Sequence, residues 1–189
     1  REEVRSRYDI PQSAKVMMVA GRMHENKGID LALYAMTMLP DNVYLLVLGE
    51  GPLEKDLKAA AESDGIMNRV RFVGWKPQIS PIVSAADIWL VPSRFEPLGN
   101  VVLDAWVHGL PVVACAADGP KSLIQDEVNG LLVPLEDEKA IVKAVERLLS
   151  DKNLSQRLVM GGKSTFDENF SEDVVVARYL EFYQKVLGR

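Results

Sequence analysis

The stretch 87-DIWLVPSRFEPLGNVVLDAWVHGLPVVACA-116 decides how this chain folds. It opens on the apolar run 87-DIWLVP-92 and turns through a charged, kinked segment that holds Glu96. It continues as 100-NVVLDAWVH-108, with apolar residues three and four apart, and closes on a second apolar run, 111-PVVACA-116. Nearly continuous apolar character over a few residues marks a strand covered on both faces, and the three-and-four spacing marks a helix with one buried side. Strand, helix, strand in that order is the unit of a parallel sheet.

The same unit repeats on either side. Apolar runs 16-VMMVAG-21, 43-VYLLVLG-49 and 70-VRFVG-74 precede it and 130-GLLVP-134 follows; helical spacing occupies 29-IDLALYAMTML-39, 53-LEKDLKAAAES-63, 79-ISPIVSAA-86 and 138-EKAIVKAVERLLS-150. The expected fold is α/β, a doubly wound Rossmann-like parallel sheet of about six strands with right-handed crossovers. After Ser150 the strands stop, and 153-NLSQRLVMGGKSTFDENF-170 and 171-SEDVVVARYLEFYQKVL-187 read as two extra C-terminal helices, the second opened by a capping box at Ser171.

Composition narrows the function. A chain of 189 residues, 48% hydrophobic and 26% charged, is expected to form one globular domain over 1–189. A net charge of −5 without a Lys/Arg-rich run gives no electrostatic footprint for nucleic acid or an anionic membrane. No stretch is long and apolar enough for a membrane span, and none resembles a signal peptide. The lone Cys115 excludes an intrachain disulfide and fits a reducing, cytoplasmic compartment. His24 and His108 lack neighbours at metal-ligand spacing and the chain has no D-x-D pair, so no metal is expected. The chain opens on Arg1 rather than methionine and is expected to be a piece of a longer protein.

An open parallel sheet holds its ligand outside the carboxyl ends of its strands, where helix N-termini also point. The loops there are 20-AGRMHENKG-28, 49-GEGP-52, 74-GWKP-77, 92-PSRFEPLGN-100 and 116-AADGPKS-122. Arg22 and Lys27, between two glycines and beside a helix start, suit a diphosphate: fixed positive charge, exposed backbone N–H groups and a favourable dipole. Gly99 and Asn100 open a helix whose free amides suit a second oxyanion or a sugar hydroxyl. Glu96 stands one turn ahead of that helix, and Asp104 one turn into it, within reach of a ribose diol. Trp75 is placed to flank a base, while Trp89 and Trp106 read as packing. A nicotinamide dehydrogenase is disfavoured, because no G-x-G-x-x-G follows the first strand. A non-catalytic nucleotide-binding module stays open.

The segments 21-GRMHENKGID-30, 49-GEGP-52, 72-FVGW-75, 92-PSRFEPLGNVVLDAWVHGLPVVA-114, 118-DGPKSLI-124 and 128-VNGLLVP-134 resemble the carboxy-terminal, donor-binding domain of the family-four retaining glycosyltransferases of GT-B architecture. The wording from Glu96 to Trp106 is similar to the branch acting on lipopolysaccharide core and other envelope glycans. The resemblance implies a nucleoside diphosphate sugar as donor, a UDP-sugar by default, and no cofactor. It implies that Arg22 and Lys27 hold the diphosphate, that Glu96, the catalytic candidate, contacts the donor sugar, and that Asp104 binds the ribose. The amides of Leu98, Gly99, Asn100 and Val101 would approach sugar and phosphate. Transfer would be metal-independent and retaining. The acceptor, a glycan or lipid-linked sugar, would sit on an N-terminal domain absent from this chain, and the longer enzyme could work at the inner face of a membrane. A GT-B phosphorylase or a sugar-nucleotide epimerase would use a similar phosphate site. Two departures stand out. Asp104 occupies a place where glutamate is usual, and Ser122 one where relatives carry a carboxylate in G-P-x-E-L, which bears on donor specificity.

Overall fold

The structure, a computed structural model, describes residues 1–188. In chain order the elements are α1 (Glu2–Arg7), β1 (Lys15–Ala20), α2 (Ile29–Met38), β2 (Val43–Leu48), α3 (Glu54–Ser63), β3 (Val70–Gly74), α4 (Ser80–Val83) and β4 (Ile88–Val91). They continue as α5 (Asn100–Val107), β5 (Val112–Cys115), α6 (Asp118–Leu123), β6 (Leu131–Val133), α7 (Glu138–Ser150), α8 (Lys152–Asn169) and α9 (Glu172–Val186). The six strands form one sheet in the order β3-β2-β1-β4-β5-β6, every neighbouring pair parallel. The expected doubly wound sheet is what the chain builds.

Its strands are apolar throughout because both faces are covered. Along β1, Met17 and Val19 join one core with α2, α3 and α7, while Val16 and Met18 join the other with α4 and α5; β2 divides Leu45 and Val47 from Leu46 and Leu48 in the same way. Trp89 and Trp106 are fully buried in the second core, as packing residues should be. The indole N–H of Trp106 donates to the Asn129 carbonyl at 2.8 Å, and α8 crosses α5 where Gly162 leaves room for that ring.

Three local readings need correction, and one short element went unread in the sequence. The helical stretch 79–86 forms helix only over Ser80–Val83, since Ser84 begins a turn that leads into β4. The loop 116–122 is partly helical, as α6. A short helix, α1, precedes β1, tied down by the buried Arg5, whose guanidinium donates to the Ala85, Gln12 and Ala14 carbonyls. Ser171 makes no capping box: the third helical residue is Val174 rather than an acid, and the Ser171 hydroxyl donates to the Asp167 carbonyl of the preceding helix instead.

The order of strand addition reverses between β1 and β4, so the connections that leave them go to opposite faces of the sheet and leave a crevice. At that point the two loops touch. Gly28 takes φ +61, and a Cβ there would overlap the Pro92 carbonyl, so only glycine allows the approach. Among the described residues no helix is long and apolar enough to cross a membrane.

Candidate functional site

At the carboxyl edge of the sheet a cleft of about 550 Å³ opens between the loops that follow β1, β2, β3 and β4. Arg22, Lys27, Glu96, Asn100, Val101 and Asp104 all line it. Residues drawn from opposite sides of the switch point therefore share one space.

The loop after β1 leaves Ala20 through Gly21 and closes as a single 3₁₀ turn, Glu25–Lys27, which the His24 imidazole caps by accepting from the Asn26 N–H. That turn aims Lys27 across the crevice. Its Nζ donates to Glu96 Oε2 at 2.5 Å, a pair between residues 69 apart in sequence. Glu96 is buried, and Arg22 stands exposed on the rim. The Glu96 main chain is fixed from behind: its carbonyl accepts the Gly119 N–H at 2.7 Å, and a side chain at Gly119 would strike that carbonyl and the Gly99 nitrogen. Gly119 is therefore the contact through which α6 holds the Glu96 loop.

Gly99, at φ +74, turns the chain into α5. Asn100 and Val101, in the first turn, reach the cleft; Gly99 is buried behind it, and the Leu98 side chain points to solvent, 70% exposed. Asp104 follows one turn on. The protein around its carboxyl partly desolvates it and pushes its pKa up, against the attraction of His108. The His108 Nδ1 lies 2.7 Å from the Asp104 carbonyl oxygen, which can only accept, so Nδ1 carries a proton; Nε2 lies 3.0 Å from Ser80 Oγ.

Side chains not singled out from sequence complete the walls. Glu50 accepts the Trp75 N–H at 3.1 Å and lines the cleft beside Trp75, Lys76 and Ile79. Their loops, 49–52 and 74–77, could be named from the strand ends, but the turn of Glu50 toward Trp75 depends on how β2 and β3 lie side by side. Trp75 is 64% exposed, an open aromatic face next to the charged wall. Arg22, Lys27 and the positive end of α5 can hold an anionic group, and Glu96 and Asp104 can accept from hydroxyls. Cys115 takes no part. It is fully buried in β5, and burial pushes its thiol up to about 12.

The profile of the glycosyl transferases group 1 family matches residues 1–165. The chain belongs to that family. Among curated members it is 37% identical over 177 residues to the lipopolysaccharide core biosynthesis glycosyltransferase LpsE of Rhizobium meliloti (strain 1021), a match covering 94% of this chain and 52% of that protein. The chain thus spans about half the length of the group 1 relatives it matches. Among solved structures, Anabaena Alr3699/HepE in complex with UDP superposes with a TM-score of 0.91 at 22% identity, covering 97% of this chain and 52% of that one. The C-terminal domain of the group 1 protein LpcC from Francisella tularensis gives 0.79 at 22% identity and covers 91% of this chain and 93% of that domain. These likenesses establish the half-molecule fold of GT-B glycosyltransferases.

Proposed function

We propose that this chain is the donor-binding domain of a metal-independent, retaining glycosyltransferase that moves a sugar from a nucleoside diphosphate sugar, UDP-linked by default, to a glycan or lipid-linked acceptor. One observation carries the reading: Arg22 and Lys27, Glu96 and Asp104, and the first turn of α5 line a single cleft at the switch point. Fold relatives support the nucleotide, since HepE has been solved with UDP, with UDP and glucose, and with UDP-glucose.

Breaking the bond between the anomeric carbon and the diphosphate oxygen leaves negative charge on the departing group, and fixed donors lower that cost. Arg22 and Lys27 supply the charge and the α5 amides the directed N–H groups, so the leaving group needs no divalent ion. Glu96 orients the sugar through its hydroxyls, and Asp104 accepts from the ribose. Lys27 and Glu96 pair with each other across the cleft. The diphosphate then competes with Glu96 for Lys27, and the carboxylate is released toward the sugar.

The acceptor belongs to an amino-terminal half that this chain would face. The bare side of α9, with Val176, Tyr179, Leu180, Tyr183 and Val186 each about half exposed or more, is the surface we assign to that half. Thermal unfolding in the presence of a panel of nucleoside diphosphates and their sugars tests the donor assignment. A ligand at 100 times its dissociation constant should add about 2.7 kcal/mol. UDP and UDP-sugars should stabilise, with or without a chelator. A panel in which no nucleoside diphosphate stabilises the chain would defeat the proposal.

A further inference from the structure

Glu96 and Lys27 face each other across two loops that share no element, so something must hold those loops in register. We propose that Arg94 is a positioning residue that sets the Lys27–Glu96 geometry without touching the cleft. It lies two residues before Glu96 in the loop after β4. Its guanidinium grips Asp30 with both arms, Nη1 to Oδ1 at 2.7 Å and Nη2 to Oδ2 at 2.6 Å, and its Nε donates to Glu136 Oε1 at 2.6 Å. Nη1 also donates to the Glu25 carbonyl at 3.0 Å. The main chain repeats the tie: the N–H groups of Arg94 and Phe95 both donate to the Asn26 carbonyl, at 2.9 and 3.1 Å.

One side chain thus joins the Lys27 turn, the first turn of α2 and the loop after β6 to the segment that carries Glu96. The grip is selective for arginine, because a planar fork matches a carboxylate in two parallel bonds while a lysine offers one point charge. Glu136 pays for its place with a left-handed backbone, φ +57, which a residue with a side chain adopts only when its surroundings fix it. Hydrogen bonds from Arg94 hold the Asp30 carboxyl below its usual range. None of Arg94, Asp30 and Glu136 lines the cleft; the contacts of Arg94 run to the turn that carries Lys27 and to the segment that carries Glu96.

A surface staple and a positioning device differ in coupling, and a mutant cycle separates them. The coupling between Lys27→Ala and Glu96→Gln is measured from denaturation midpoints without ligand, first in the parent chain and then in the Arg94→Ala background. The coupling should be present in the parent and lost to within error in that background. With UDP as probe, which rests on the donor-site reading, Arg94→Ala should weaken affinity by roughly tenfold in the parent, within the loss expected from misplacing a group by about an ångström. It should weaken affinity by less than about twofold in the Lys27→Ala background, where there is nothing left to place. Arg94→Lys should recover the melting temperature more fully than the affinity. If Arg94→Ala does not fold, the pair Asp30→Asn with Glu136→Gln releases the fork more gently and should give the same losses. Unchanged Lys27–Glu96 coupling after release of the fork overturns the inference, whichever variant is used. A parent chain that does not bind UDP defeats the donor-site reading alone, because the ligand-free cycle still decides the role of Arg94.

Discussion

Glu96 and Asp104 are carboxylates eight positions apart, and the structure gives them different surroundings: Glu96 buried and paired with Lys27, Asp104 at the rim beside His108. Their losses should differ accordingly. In the complete enzyme, Glu96→Gln should cut turnover by something on the order of 10²-fold, while UDP affinity stays nearly preserved, since Lys27 keeps its place and its charge. Asp104→Ala should weaken UDP itself, and a 2′,3′-dideoxyribose analogue should bind that variant and the parent almost equally. Asp104 also predicts a pH effect on stability. Its pKa is raised in the folded chain, so the ionised carboxylate destabilises the fold above that pKa and contributes nothing below the unfolded value, where both states are protonated. Asp104→Asn should therefore raise the melting temperature at neutral pH, and the gain should vanish below about pH 4. Equal melting of variant and parent at neutral pH would show the carboxyl to be fully solvated. Cys115, buried and with its thiol pushed up to about 12, should stay unlabelled by a thiol reagent until the chain unfolds.

What could be seen in the sequence at the level of elements follows from how each is covered. The six strands carry apolar residues on both faces, so their runs stand out, and α7 shows its stripe because only one side is buried. α6, of six residues, is too short to display a period, whereas the helical spacing over 79–86 runs past both ends of the four-residue α4. α1 holds its place through the polar contacts of Arg5, which no hydrophobic pattern reports. Candidate residues were legible by loop, since strand ends can be counted, but the Lys27–Glu96 pair spans 69 positions and depends on β1 and β4 lying side by side. The α5–α8 crossing gives a direct test of packing. A side chain at Gly162 would enter the Trp106 ring, so Gly162→Ala should cost about 1–3 kcal/mol by chemical denaturation and shift α5 with it. A loss within error there would mean that α8 rides on α5 without being seated against it.

For the molecule as a whole, the proposed function makes this group 1 family chain the donor half of a two-domain enzyme. The chain by itself should bind donor and transfer negligibly, and transfer should appear when it is joined to an amino-terminal half; sustained turnover by the 189-residue chain alone would contradict that division of labour. Donor binding at Arg22 and Lys27 is the statement on which the rest depends. Calorimetric titration of UDP into the parent chain and into the Arg22→Ala, Lys27→Ala double variant addresses it most directly. Each charge-assisted contact should be worth roughly 1.5–3 kcal/mol, so the double variant should lose measurable binding while keeping the parent's far-ultraviolet spectrum, and a chelator should change neither titration. Equal affinity in parent and double variant would show that the diphosphate, if it binds, is held elsewhere.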